Sequence, residues 1–571
     1  MSNFYKDNPD ILFHFQNMDL SRIIDLKEDN FSEKGKFPEA PVNREDALDN
    51  YLRILDITGD IAGEFIAPRA ADVDVESVHF ENGTVTYAKG TTEALERLKK
   101  ADLLGFTLPR RFGGINMPKT VYSAAIEIIA RGDAGLTNLF GLQEISATIY
   151  KYGSEDQHRR FLPRFCSGEV SGSMALTEPD AGSDLQGISL KARQGDNGQW
   201  LLNGVKRFIT NGNGDVSLVM ARSEEEISGG RGISLFIYER DKNMRIRRIE
   251  NKLGIHGAPT CELQFNNAEA ELLGKRKLGL IRYTMSLMNG ARLGISAQAL
   301  GIAEAAFRES DKYAEERIQF NRPIRDFSAV YEMLTDMKTS IEAGRSLLYE
   351  TSRIVDIKEG LEEAVKNHPE RKNELKAETS LYSKYASLFT PITKAYTTEM
   401  ANKVCYDAIQ IHGGVGFTTE FNVERHFRDV RITSIYEGTT QLQVVAAIGG
   451  IFSGIIFDRL DEYENNDFSS VSELYSRTQE LRKHLEDSVT FVKGRNSREF
   501  QEFHAGRLVD LAADTILSYL LCLDAIHSER KKKVANLFIQ KAAIRIQANM
   551  NFIKADDGTY QASYRDILKR T

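Results

Sequence analysis

The feature that most constrains this chain is a change of texture that later reverses. Between residues 171 and 282 the sequence breaks into short runs rich in β-branched and aromatic residues: QWLLNGVKRFITNG, VSLVMARS, GISLFIYER and CELQFNN. Turn residues separate them, so they read as strands. On either side the apolar spacing is helical. Pro68 ends a helical stretch that begins near residue 45, and Ile295, Ala299, Ile302 and Ala306 fall on one helix face. After residue 450 a further segment carries the stripe Val509, Ala512, Ala513, Ile516, Leu517 and Leu520. One block of strands between helical blocks predicts an α+β multidomain chain, with a β-barrel or sandwich in the middle.

Length and charge narrow the function. The 571 residues exceed one ordinary domain. A net charge of -8 argues against a nucleic-acid partner, because phosphate binding needs clustered positive charge. Cys166, Cys261, Cys405 and Cys522 are far apart and form no CxxC pair, so neither a disulfide framework nor a metal site is expected. MSNFYKDNPD lacks the basic and apolar regions of a signal peptide, and a cytoplasmic location is expected. The longest uncharged apolar run, VVAAIGGIFSGIIF, is too short to span a bilayer and reads as a buried helix or crossing segment.

Five strings carry chemistry, and each has a plain structural reading beside the functional one. MALTEPDAGSDL is a Pro- and Gly-punctuated turn, or a site where Gly182 and Ser183 meet a phosphate. In NGVKRFITNG, strand alternation puts Phe208 and Thr210 on one face, suited to a flat heteroaromatic ring; the alternative is a plain strand with Phe208 inward. ERIQFNRPI is a helix C-terminus, or a place where Arg317 pairs with a phosphate and Phe320 stacks. QIHGGVGF is a glycine cluster without the GK[ST] of a P-loop, and His412 reads as structural. IYEGTTQLQ sets one carboxylate, Glu437, between an aromatic and a glycine. It is either a base facing a bound ligand or an acid just before a Thr helix cap.

Taken in order, MALTEPDAGSD, GVKRFITNG, KLGIHGAPTCEL, NGARLGISAQALGIAEAA, ERIQFNRPI, QIHGGVGF and RHFRDVRITSIYEGTTQLQ resemble the acyl-CoA dehydrogenase family over about residues 50 to 450. The resemblance implies an N-terminal arm over 1–45, an N-terminal helical domain over 46–170, a β-barrel domain over 171–282 and a C-terminal four-helix bundle over 283–450. The segment 451–571 is then an additional helical extension like those of the longer family branches. It implies FAD as cofactor, held by Met174, Leu176, Thr177, Gly182, Ser183, Phe208, Thr210, Thr439 and Gln441. Arg317, Gln319, Phe320, Gln410, Gly413 and Gly414 would reach the FAD of a neighbouring subunit. Ser183, Arg292, Tyr436 and Gly438 would face the acyl-CoA.

The same resemblance makes Glu437 the base that takes the α-proton while the β-hydride passes to flavin N5, giving a trans-2-enoyl-CoA, as in fatty-acid β-oxidation. Some members carry their Glu before the Arg of NGAR; here that residue is Ala291, which leaves Glu437. Asp180 and Asn321 stand where the family usually has Gly, and both residue types suit turns. The partners implied are an electron-transferring flavoprotein and a second copy of the chain, as a homodimer or dimer of dimers. A peripheral membrane contact through 451–571 is left open. The alternatives are an acyl-CoA oxidase and a non-catalytic, DNA-binding branch of the superfamily.

Overall fold

The computed structural model of the protein describes residues 2–569. The helices used below are α1 (Pro9–Asn17), α2 (Lys119–Gly132), α3 (Ala134–Leu142), α4 (Ile145–Tyr152), α5 (Met285–Glu316), α6 (Ser328–Asn367), α7 (Lys372–His412), α8 (Thr440–Phe452), α9 (Ser472–Gly494), α10 (Arg498–Ile526) and α11 (Glu529–Ala555). The seven strands of the main sheet lie between α4 and α5: β1 (Gly172–Ala175), β2 (Lys191–Gln194), β3 (Trp200–Thr210), β4 (Val216–Arg222), β5 (Ile233–Glu239), β6 (Met244–Ile249) and β7 (Thr260–Leu272).

The strands close on themselves. Following the pairings from β4 leads to β2, β3, β7, β5 and back to β4, so the middle domain is a barrel rather than a sandwich. β1 adds in parallel to β4, and β6 pairs antiparallel with β7. VSLVMAR is apolar almost throughout because both faces of β4 are buried. Val219 and Ala221 point into the barrel with Phe236 and Phe265, while Leu218 and Met220 pack outward on Ile145, Leu162 and Phe165 of the helical region.

α5, α6 and α7 pack on one another, α8 packs on α7, and α2 lies along α5. The Lys- and Glu-rich stretch near 356–377 is the hairpin joining α6 to α7. α9 to α11 build a second core against Leu347, Phe389 and Ile392 of the bundle, and the stripe Val509 to Leu520 is buried there. The 1–45 segment is folded onto the rest. Asn8 caps α1, accepting from the backbone N–H of Asp10 and Ile11. Asp10 then meets Arg345 of α6 and Lys531 of α11. Arg345 also binds Glu127 of α2 at 2.6 Å and Glu304 of α5 at 2.9 Å.

The apolar run 444–457, expected as a buried helix or crossing segment, forms two helices. It breaks at Gly454, whose φ is +86°, into α8 and the helix Ile455–Glu464, bent by 71°. α8 buries Gln443, Ala447 and Ile451 but leaves Val445 70% exposed. Among the described residues no single helix is long and apolar enough to cross a membrane.

Candidate active site

The loop before α8 is held in an unusual shape. Glu437 has φ +55° and Gly438 has φ +90°, two left-handed residues in succession. A glycine takes this readily, whereas a glutamate does so at a cost. The surroundings fix it: Lys394 of α7 and Gln443 of α8 each donate to the Gly438 carbonyl at 2.8 Å. Thr439 caps α8, its hydroxyl accepting from the Leu442 N–H. The threonine of IYEGTT is thus the helix cap, and the acid ahead of it lines a cavity.

That cavity, about 670 Å³, lies where the barrel, α2 to α4, α5 and the Glu437 loop converge. Met174, Leu176, Thr177, Gly182 and Ser183 line it from β1 and the turn after it; Phe208 and Thr210 line it from the end of β3. Gly290, Ala291 and Gly294 present a smooth face of α5, and a Cβ added at Gly290 or Gly294 would meet nothing within 4 Å. Open space over bare helix, faced by an exposed aromatic and two threonines, has the shape and donors for a planar polar ring.

Phe208 corrects one step of the sequence reading. Phe208 and Thr210 both face the cavity, but not through simple alternation. β3 has a bulge between Lys206 and Ile209, and Phe208 sits at φ +62° with its ring 51% exposed. The extra residue rotates the ring out of the barrel wall. Lys206 on the other side is fully buried, bound to Glu178 and to the Leu176 carbonyl at 2.8 Å each.

The Glu437 carboxylate lines the cavity with no ion pair or side-chain hydrogen bond to it among the described residues. Burial pushes its pKa up, while the nearby Arg292 and Lys394 charges pull the other way. Lys394 is itself wholly buried, and burial pushes its pKa down to about 8. Arg292 sits behind the loop rather than in the cavity wall, its Nη1 donating to Asn289 at 3.0 Å and its Nε without a partner. Tyr436 reaches the other way, its hydroxyl donating to Gln298 Oε1 and lying 3.2 Å from Asn138 Oδ1. The orientation of these amides follows from the network. Gln298 Nε2 donates to the Ala134 carbonyl at 2.8 Å and so faces Asn138 Oδ1 at 3.0 Å, which leaves the buried Asn138 Nδ2 unpartnered.

The expected residues thus split into two groups. Met174 to Ser183, Phe208, Thr210 and Tyr436 to Thr439 come together; Gln441 is exposed on α8 beyond them. Arg317, Gln319 and Phe320, on the hairpin after α5, and Gln410, Gly413 and Gly414, at the end of α7, lie outside the cavity. These two strings are neighbours, because His412 stacks on Tyr313 at 4.3 Å, one turn before Arg317. Their patch is open, with Phe320 88% and Phe417 87% exposed. Asn321 takes φ +63°, so it does occupy a glycine-like conformation. His412 is buried, stacked and bonded to the Ala408 carbonyl.

Lys394, Gln298 and Asn138 were not singled out in the sequence; only Gln298, inside ISAQALG, lies in a string already noticed. A second cleft of about 790 Å³ separates the bundle from the extension. It holds none of the expected site residues, and its Asp514 and Asp336 are paired with Arg545 and Lys541.

Comparison with known proteins agrees with this geometry. Family models match consecutively: acyl-CoA dehydrogenase N-terminal domain over residues 50–169, middle domain over 173–268, C-terminal domain over 281–448, and a further acyl-CoA dehydrogenase C-terminal model over 453–557. An acyl-CoA dehydrogenase of Bacillus subtilis is 36% identical over 358 residues, covering 62% of this chain and 87% of that protein. The structure of an acyl-CoA dehydrogenase complexed with FAD from Bacillus anthracis superposes with a TM-score of 0.76 at 25% identity, covering 92% of each chain. A chain from work on the electron transferring flavoprotein of Acidaminococcus fermentans and flavin-based electron bifurcation gives a TM-score of 0.60 at 32% identity, over 70% of this chain and 97% of that one. The closed barrel between helical domains, the cavity at their junction and these matches make the chain a member of the acyl-CoA dehydrogenase family, flavin oxidoreductases that use FAD.

Proposed function

We propose that this chain dehydrogenates an acyl-CoA thioester between its α and β carbons, with Glu437 as the base. The observation that carries the reading is the Glu437 carboxylate: held in a left-handed turn, aimed into the cavity, and left without a direct partner. A carboxylate raised by burial can accept a weakly acidic α-proton near neutral pH, which a solvated one does poorly.

The cavity residues fit FAD. Gly290 and Gly294 leave room for the ring, Phe208 would pack on it, and Thr177 and Thr210 would offer hydroxyls to it. Met174 and Leu176 give apolar support, and the Gly182–Ser183 turn is free to meet the pyrophosphate. Thr439 and Gln441 lead outward toward the adenosine half. FAD, when bound, supplies the acceptor for the β-hydride. The chain's own residues do the rest. Glu437 would take the α-proton, its backbone N–H would be available to the thioester oxygen where negative charge gathers, and Tyr436, held by Gln298 and Asn138, would line the acyl path beside the base. The proton would go to the carboxylate, and the α,β double bond would form as the β-hydride leaves.

The exposed patch of Arg317, Gln319, Phe320, Gln410, Gly413 and Gly414 suits the cofactor of a second copy, which supports a homodimer. An electron-transferring flavoprotein is the proposed acceptor of the electrons, supported by the Acidaminococcus likeness. The test is a spectrum of the purified, FAD-loaded protein without oxygen, with acyl-CoAs of graded length. Bleaching of the flavin band by one class of thioester is expected. A bound flavin that no acyl-CoA bleaches would overturn the reading.

A further inference from the structure

The acyl end of the cavity is not lined like a pocket for a plain hydrocarbon. From Glu437 the space runs past Tyr436 and Asn138 into the groove between α2 and the α3–α4 pair. Its near part is bounded by Ile126, Leu142 and Ile145. Its far end is bounded by Lys119, Glu144, Lys151 and Glu359. Lys119 pairs with Glu144, which also accepts from Thr107 at 2.8 Å, and Lys151 binds Glu362 at 2.7 Å. The Glu359 carboxylate faces this end with no hydrogen bond or ion pair among the described residues.

A methyl terminus reaching that point would strip water from charged groups and return nothing. A carboxylate terminus would meet two ammonium groups but two carboxylates as well. A hydroxyl does better, since it donates to Glu359 while accepting from Lys119. Resting on the dehydrogenase reading above, we propose that the preferred acyl group carries a hydroxyl at the end remote from the thioester. The bare wall at Gly141, between the near and far parts, leaves the passage open for the chain.

The test compares matched CoA thioesters, methyl-ended and ω-hydroxylated, at each chain length on the FAD-loaded protein. Both anaerobic flavin bleaching and calorimetric binding are read. At the lengths that reach the far end, the hydroxylated member is expected to win by about tenfold or more, because a site built to hydrogen-bond a hydroxyl rejects the analogue lacking it. Two variants then assign the preference: Lys119→Met with Glu144→Leu, which removes the ion pair as a unit, and Glu359→Leu. Each is expected to bring the ratio toward one. Equal or better binding of the methyl-ended thioester at every length overturns the proposal, and so does a hydroxyl preference that both variants leave intact. Selective binding without any bleaching supports the end-group proposal while counting against the reaction.

Discussion

Two buried groups of carboxylates in this molecule meet positive charge in different ways. In the first, Asp10, Glu127 and Glu304 touch the Arg345 guanidinium directly, and Asp10 also touches Lys531. In the second, Glu437 lies near Arg292 and Lys394 and touches neither. Burial pushes against the charge in both, but Lys531 and Arg345 hold the Asp10 carboxyl well below the usual range, and Lys338, Arg345 and Arg308 do the same for Glu304. Glu127, sharing one guanidinium with two other acids, is pushed up by burial. Glu437 is pushed up as well, with its cations at a distance. Contact with more than one cation fixes the charge of Asp10 and Glu304 as part of the architecture. A cation held one step away leaves the acid able to change state.

Three variants test that contrast. The largest effect is expected from Glu437→Gln. Flavin reduction by acyl-CoA should fall by about 10²–10⁴-fold, the usual contribution of a positioned base, while bound FAD and the unfolding midpoint stay put. Unchanged reduction in single-turnover mixing would remove Glu437 from the chemistry. Arg345→Met should do the opposite. Taking the shared guanidinium from Asp10, Glu127 and Glu304 should cost about 3–5 kcal/mol, read from denaturant midpoints, with the reduction rate of the folded fraction unaltered. A loss of rate without a loss of stability would erase the distinction between the clusters.

Lys394→Met gives the smallest and sharpest test. The pKa of Glu437 is already raised, so reduction should climb with pH as the carboxylate ionises. Removing a nearby positive charge raises that pKa further and moves the acid limb to higher pH, by about one unit. Because Lys394 is pushed down to about 8, the parent enzyme loses the same charge above that pH. The two profiles should therefore converge on the alkaline side. A purely structural lysine would lower the whole profile without moving its limb.

The sequence disclosed the site unevenly. Glu437, the Met174 to Ser183 turn and the end of β3 sit in short local strings, and turn chemistry makes such strings readable. Phe208 was found for a reason the backbone does not obey, since a bulge rather than strand alternation turns it outward. The block of strands announced a barrel or sandwich, and only the parallel closure of β2 on β4 decides between them. Lys394 stayed hidden because nothing in PITKAYT marks a buried lysine; α7 carries it under a loop more than forty residues onward. Asn138 and Gln298 matter only through each other, and a contact made across 160 residues leaves no local trace. The 1–45 segment read as an arm, yet its Asp10 completes a charge cluster whose other members come from α2, α5, α6 and α11.

The bond between Asp10 and Lys531 also sets a schedule. A ribosome adding about 5–20 residues per second releases the carboxylate roughly half a minute to two minutes before its lysine exists. During that interval α1 can find Arg345 once α6 has emerged, but its second cation arrives only with α11. α1 therefore gains its cations in stages, Arg345 before Lys531. A nascent chain stalled before residue 531 should hold α1 less firmly than one that includes α11, although its barrel is already complete.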